Sequence, residues 1–228
     1  MPRAYLPLLT LLSKQFRVIA PPHPGHGDAF SIPKSWQLKE FVATYEELLH
    51  NMQIEPDVIV GHSLGAMVGL LLVAKGIGRQ LIAMDAPGLP FDITASGFLK
   101  AKAKEARELL SRRNRQQVQD ALAAVGAVIH TVIKHPDDVP WLWHQAPAWD
   151  IGKSLESIHV PVSLLWGEKD GIVPLDVGKR MQTLISHATL MVFPNRGHNY
   201  AILDPEFTYR AIMSAVNDAN MRMGTNAT

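Results

Sequence analysis

The chain has 228 residues, nearly half of them hydrophobic, which is enough for one sizeable domain or for one domain carrying an insertion. Its 22 Lys and Arg against 21 Asp and Glu leave a net charge of +1, which argues against nucleic acid as the main partner. The lack of cysteine excludes disulfides, thiolate chemistry and cysteine zinc sites and fits a cytoplasmic protein, and the longest apolar stretch, 66–74, is far short of the roughly 20 residues that span a membrane.

Residues 4–14 read as a short amphipathic helix. Pro7 within the leucine-rich start, and the lack of a small-residue cleavage site, separate it from a signal peptide. A strand is predicted at 16–20, followed by Pro21-Pro22-His23-Pro24-Gly25-His26-Gly27-Asp28, a loop dense in breakers. Apolar residues at 38, 41, 42, 45, 48, 49 and 52 have helix spacing, with Ser35 as the candidate N-cap.

The stretch from Val58 to Met67 then reads as a buried strand, a sharp turn and a helix apolar nearly all round, with Gly61-His62-Ser63-Leu64-Gly65 at the turn. A serine between strand and helix sits on a strained turn that points its hydroxyl out of the sheet. Gly61 and Gly65 are expected to omit side chains that would clash there, and the Leu64 N–H, at a helix N-terminus, could hold a developing oxyanion.

A strand at 80–85 follows, closed by Pro87-Gly88. From 92 to 155 the pattern turns helical and more charged, with helices predicted over 96–113 and 115–134. The basic run from Lys100 to Arg115, interrupted by Glu105 and Glu108, reads as a solvated helix face. Trp141, Trp143 and Trp149 cluster near Pro140 and Pro147; they could line an acyl pocket or pack this insertion onto the body. Strand–helix alternation then resumes: strand 160–167, helix 175–186, strand 189–193, helix 205–219 and a tail, 221–228.

This order predicts an α/β fold: a mostly parallel sheet flanked by helices, its core from 1–91 and 156–220, with 92–155 inserted. Sites in such sheets lie at the C-terminal ends of strands. Three ends carry suitable chemistry: Ser63, then Glu168-Lys169-Asp170, then Arg196-Gly197-His198. A serine hydroxyl is a poor nucleophile until a histidine removes its proton, and a buried carboxylate fixes that histidine's tautomer. Asp85, also at a strand end, is the alternative acid. His62 reads as structural, and His23 and His26 as turn residues without a third metal ligand nearby. No cofactor is implied.

Gly-His-Ser-Leu-Gly at 61–65 resembles the nucleophile elbow of the α/β-hydrolase-fold enzymes. Trp166-Gly167-Glu168-Lys169-Asp170 resembles their acid turn, Arg196-Gly197-His198 their histidine loop, and Pro24-Gly25-His26-Gly27 a frequent early loop. The similarity covers about residues 3–218 and keeps the order Ser…Asp…His. It implies a serine hydrolase using Ser63, Asp170 and His198 on an ester or similar small acyl substrate, with 92–155 as a helical cap. Carbon–carbon bond hydrolases of the family stay open.

Family members normally begin with two or three strands, the third ending in a His-Gly segment that supplies one oxyanion donor. This chain starts at the helix that would follow, so the first strands of the usual fold are expected to be missing. Either the strands at 16–20 and 57–62 are then expected to close up on each other or the chain is expected to be marginally stable, with Leu64 as the remaining donor. The rival reading is a truncated, catalytically impaired relative, acting as a binding protein or left as a defective fragment.

Overall fold

The computed structural model describes residues 3–92 and 115–225. The helix predicted over 96–113, and the basic run as far as Arg113, lie outside the described residues. Four strands, β1 (Ile59–His62), β2 (Leu81–Met84), β3 (Val162–Gly167) and β4 (Ala188–Phe193), form one parallel sheet in the order β1-β2-β3-β4. Around it run α1 (Leu6–Leu12), α2 (Leu38–Met52), α3 (Leu64–Ala74), α4 (Arg115–Lys134), α5 (Asp138–Gln145), α6 (Gly152–Leu155), α7 (Leu175–Leu184), α8 (Tyr200–Leu203) and α9 (Pro205–Thr225).

Every residue of β2 and β3 is buried, as a sheet covered on both faces requires. The strand period of two divides them between two cores. Leu81 and Ala83 join Met67 and Leu70 of α3, together with Leu164 and Trp166 of β3. Ile82 and Met84 face the other way, under Leu8 and Leu12 of α1 and Ile212 and Val216 of α9. The apolar circumference of α3 is explained by its burial, with Ala66, Met67, Val68, Leu70, Leu72 and Val73 all enclosed.

Three expectations need correction. Residues 16–20 are not a strand and do not close onto β1: among the described residues, no backbone hydrogen bond joins them. Phe16 and Val18 pack beside the α1–α9 core, so side chains hold the segment where no backbone ladder does. Among the described residues β1 therefore pairs with β2 alone, and Val60 is 39% exposed. Second, α2 is capped by Gln37 and not by Ser35, because Gln37 and Glu40 cap each other reciprocally, the Gln37 N–H donating to Glu40 Oε2 at 2.7 Å. Third, α9 continues to Thr225 where a tail from 221 was expected.

Candidate active site

Ser63 is the single residue between β1 and α3, and its backbone is strained, at φ 53° and ψ −124°. Its N–H donates to the Met84 carbonyl at 2.8 Å, which ties the turn to β2. A Cβ on Gly61 would come within 2.5 Å of the Ala66 Cα and the Gly65 carbonyl oxygen, so only glycine fits. Gly65 differs from expectation: a Cβ there would meet nothing within 4 Å. The Ala66 and Met67 amides donate to the Ser63 carbonyl, at 2.9 and 3.1 Å. The Leu64 and Gly65 amides have no acceptor among the described residues and remain available at the helix N-terminus.

Asp170 follows β3 and His198 follows β4, and the pairing of these strands brings their loops together. Gly167 makes the approach possible, since a Cβ there would lie 2.8 Å from the Arg196 carbonyl oxygen. The Lys169 N–H donates to that carbonyl at 2.8 Å, and the exposed Glu168 carboxylate accepts the Asn195 N–H at 2.9 Å. His198 Nδ1–H then donates to Asp170 Oδ2 at 2.7 Å, both residues being buried. The other oxygen, Oδ1, accepts the N–H groups of Ile172 and Val173 at 2.7 and 3.0 Å. The imidazole is thereby held with Nε2 as its proton-accepting nitrogen.

No hydrogen bond joins Ser63 Oγ to His198 among the described residues. Their chain positions are nevertheless linked through His62. Its Nε2–H donates to the His198 carbonyl at 2.8 Å, its ring lies 4.9 Å from the His198 ring, and its Nδ1 accepts from the Tyr5 hydroxyl. This contact of Tyr5 with His62 has no counterpart in any local sequence pattern.

Asp85 is the other carboxyl of this region. It is fully buried at φ 47°, and its Oδ1 accepts the Gly167 N–H at 2.9 Å. Among the described residues, Oδ2 has no hydrogen-bond partner. Burial, then the nearby Asp170, push its pKa well above the usual carboxylate range. It does not touch His198 Nδ1, so of the two candidate acids it is Asp170 that holds the imidazole. Ligand atoms of His62, Asp85 and His198 lie within 4.8 Å of one another. Both His62 nitrogens are engaged, however, and metal–nitrogen bonds are only about 2.0–2.1 Å long, so the three form a polar network and not a ready cation site.

An apolar cavity of about 160 Å³ opens beside Ser63 and Leu64. Phe91, Val139, Leu142, Trp149 and Ile172 contribute to its wall. Of the three tryptophans, Trp149 lines it, Trp141 packs against α2 and α3 with the Lys34 ammonium 5.7 Å from its ring, and the side chain of Trp143 lies outside the described residues. His26 also lines the cavity, whereas His23 is stacked on Phe41 and bonded to the Tyr45 hydroxyl at 2.7 Å. Burial lowers the His23 pKa to about 3.

The family described as the alpha/beta hydrolase family matches residues 1–211. A protein of Pseudomonas syringae pv. syringae (strain B728a) assigned as the carbamate hydrolase RutD is 26% identical, over 90% of this chain and 85% of its own. The magnesium-chelatase 30 kDa subunit of Rhodobacter capsulatus is also 26% identical, over 78% and 70%. Among solved structures, the meta-cleavage product hydrolase CumD superposes with a TM-score of 0.70 at 24% identity, covering 95% of this chain and 85% of that one. A thermophilic esterase from Thermogutta terrifontis gives 0.72 at 19%, covering 96% and 86%. At these identities the two structures speak for the fold.

Proposed function

The chain belongs to the α/β hydrolase family, and from that premise we propose that it is a serine hydrolase of small, largely apolar acyl substrates. The observation that carries this reading is the strained Ser63 at a free helix N-terminus, bordering an apolar cavity, with the loop that carries the His198–Asp170 pair bonded to the adjacent His62 through the His198 carbonyl. Ser63 Oγ attacks the substrate carbonyl as His198 Nε2 takes its proton, and Asp170 stabilises the imidazolium. The Leu64 N–H, helped by the positive end of α3, holds the oxyanion. His198 returns the proton to the leaving group, and water, activated the same way, releases the acyl group from Ser63.

Residues 92–155 serve as the cap in this reading. Val139, Leu142 and Trp149 belong to that insertion and wall the cavity above Ser63, which supports the assignment. The bond broken is an ester or a related acyl bond. The assigned activity of the RutD relative brings carbamates within the substrates to test. The cysteine-free composition accords with a cytoplasmic setting. No helix of the described residues is long and apolar enough to cross a membrane.

What favours a non-catalytic binding role is the absence of a Ser63–His198 hydrogen bond. Such bonds often tighten only with substrate, so turnover decides. The test is hydrolysis of 4-nitrophenyl acetate, 4-nitrophenyl butyrate and an aryl carbamate by the protein and by Ser63→Ala. Turnover of at least one, reduced at least about 10³-fold in the variant, supports the hydrolase. No turnover of any by folded protein supports the binding role.

A further inference from the structure

Among the described residues, the cavity beside Ser63 has few polar groups in its wall. The Trp149 indole can only donate, and Ser63 is the proposed nucleophile. His26 is the remaining one, and its imidazole orientation is determined by its own loop. Nδ1–H donates to the Pro24 carbonyl at 3.1 Å, so Nε2 carries the lone pair. Among the described residues, no group bonds Nε2. Burial also lowers the basicity of the ring, in keeping with a neutral acceptor.

The loop that presents this ring is itself held firmly. Gly25 has a φ of +75°, and a Cβ there would strike Ile32 Cδ1 at 2.6 Å. The Gly27 N–H donates to Thr131 Oγ1 at 3.2 Å, and the Gly27 carbonyl accepts from His135 Nε2 at 3.1 Å, so α4 and the residue after it clamp the loop. A fixed ring with one unused acceptor, set in an apolar wall, is a recognition element.

We propose that His26 Nε2 is a specificity-determining acceptor, which selects substrates bearing a hydroxyl or N–H donor on an otherwise apolar group. This deepens the hydrolase reading and rests on it for the identity of the cavity as the substrate site. The substrate class is thus an apolar ester or carbamate with one hydrogen-bond donor placed away from the scissile carbonyl. An analogue that keeps the shape and lacks the donor loses that bond without gaining a better one.

The test uses the full chain carrying Ser63→Ala, which removes the Ser63 hydroxyl as a competing acceptor, and two ligands of similar size, phenol and toluene. Affinities are measured by ligand-observed NMR titration, with and without His26→Leu and His26→Gln. The ratio of phenol to toluene affinity should fall roughly 3- to 10-fold in His26→Leu, as expected for loss of one neutral hydrogen bond. It should be largely restored in His26→Gln, whose amide oxygen can accept. Should the variants not fold, the ¹⁵N shift of His26 Nε2 reports on the unaltered ring, and it should move with phenol and not with toluene. A ratio insensitive to His26, or an Nε2 shift that does not distinguish the ligands, overturns the proposal. Fluorophosphonate labelling of Ser63 in the unmutated protein is read separately, so failure of the hydrolase reading is distinguished from failure of the role given to His26.

Discussion

His198 Nδ1 lies 2.7 Å from Asp170 Oδ2, while the other oxygen of the same carboxylate accepts two backbone N–H groups, from Ile172 and Val173. The carboxylate is thus fixed at both ends, and through it the imidazole. Asp170→Asn keeps an acceptor for the backbone and loses the charge that sets the tautomer. Turnover of the best aryl ester should fall about 10³–10⁴-fold with little change in far-UV circular dichroism. Asp85→Asn should leave turnover within a few-fold. If the two variants are equally impaired, Asp170 is not the acid that serves His198.

Asp85 gives a stability prediction with a definite sign. Its folded pKa is raised above the ordinary 3.8 by burial and by Asp170. The unfolded chain releases this proton as pH rises past 3.8 while the folded protein still holds it, so stability is lost across that rise up to the folded pKa. Asp85→Asn has no proton to release. Its melting temperature should exceed that of the unmutated protein by a margin that grows as pH rises from about 4. A margin that is flat or shrinks with pH refutes this account of Asp85.

The two glycines of the turn should separate cleanly. Gly61→Ala places a methyl against the backbone of Gly65 and Ala66, and should cost about 3 kcal/mol in urea unfolding. Gly65→Ala meets open space in the first turn of α3 and should be neutral or stabilising by up to about 1 kcal/mol. Equal costs contradict the packing described for the turn.

Trp149 and Trp141 should likewise part company. Trp149→Ala enlarges the cavity wall and should shift the preferred acyl group toward longer chains, read as the ratio of kcat/KM for butyrate and acetate esters. Trp141→Ala should lower stability and leave that ratio unchanged, because Trp141 packs against the body under Lys34. A changed ratio in Trp141→Ala alone would reverse the two assignments.

Much of the architecture was legible because it is written locally. Strand–helix alternation, the apolar ring of α3 and the breaker-rich loops at 167–171 and 194–198 all act over a few residues. What failed depended on distant partners. Residues 16–20 have strand composition, but a strand exists only by pairing, and among the described residues no neighbour pairs with them. Gln37 prevailed over Ser35 through the position of Glu40, three residues on. The Tyr5–His62 contact spans 57 residues, beyond any periodicity. His23 and His26 look alike in sequence and differ in place. One stacks on Phe41, and the other, bonded through Nδ1 to the Pro24 carbonyl, lines the cavity.

The central claim is that Ser63 is a nucleophile activated by His198. The most direct measurement is intact-protein and peptide mass spectrometry after treatment with a fluorophosphonate. The account predicts a single stoichiometric adduct on Ser63, absent in Ser63→Ala and formed at least about 10²-fold more slowly in His198→Ala, the lower range of a positioned general base. Folded protein that takes up no adduct, or takes it up equally without His198, would contradict it.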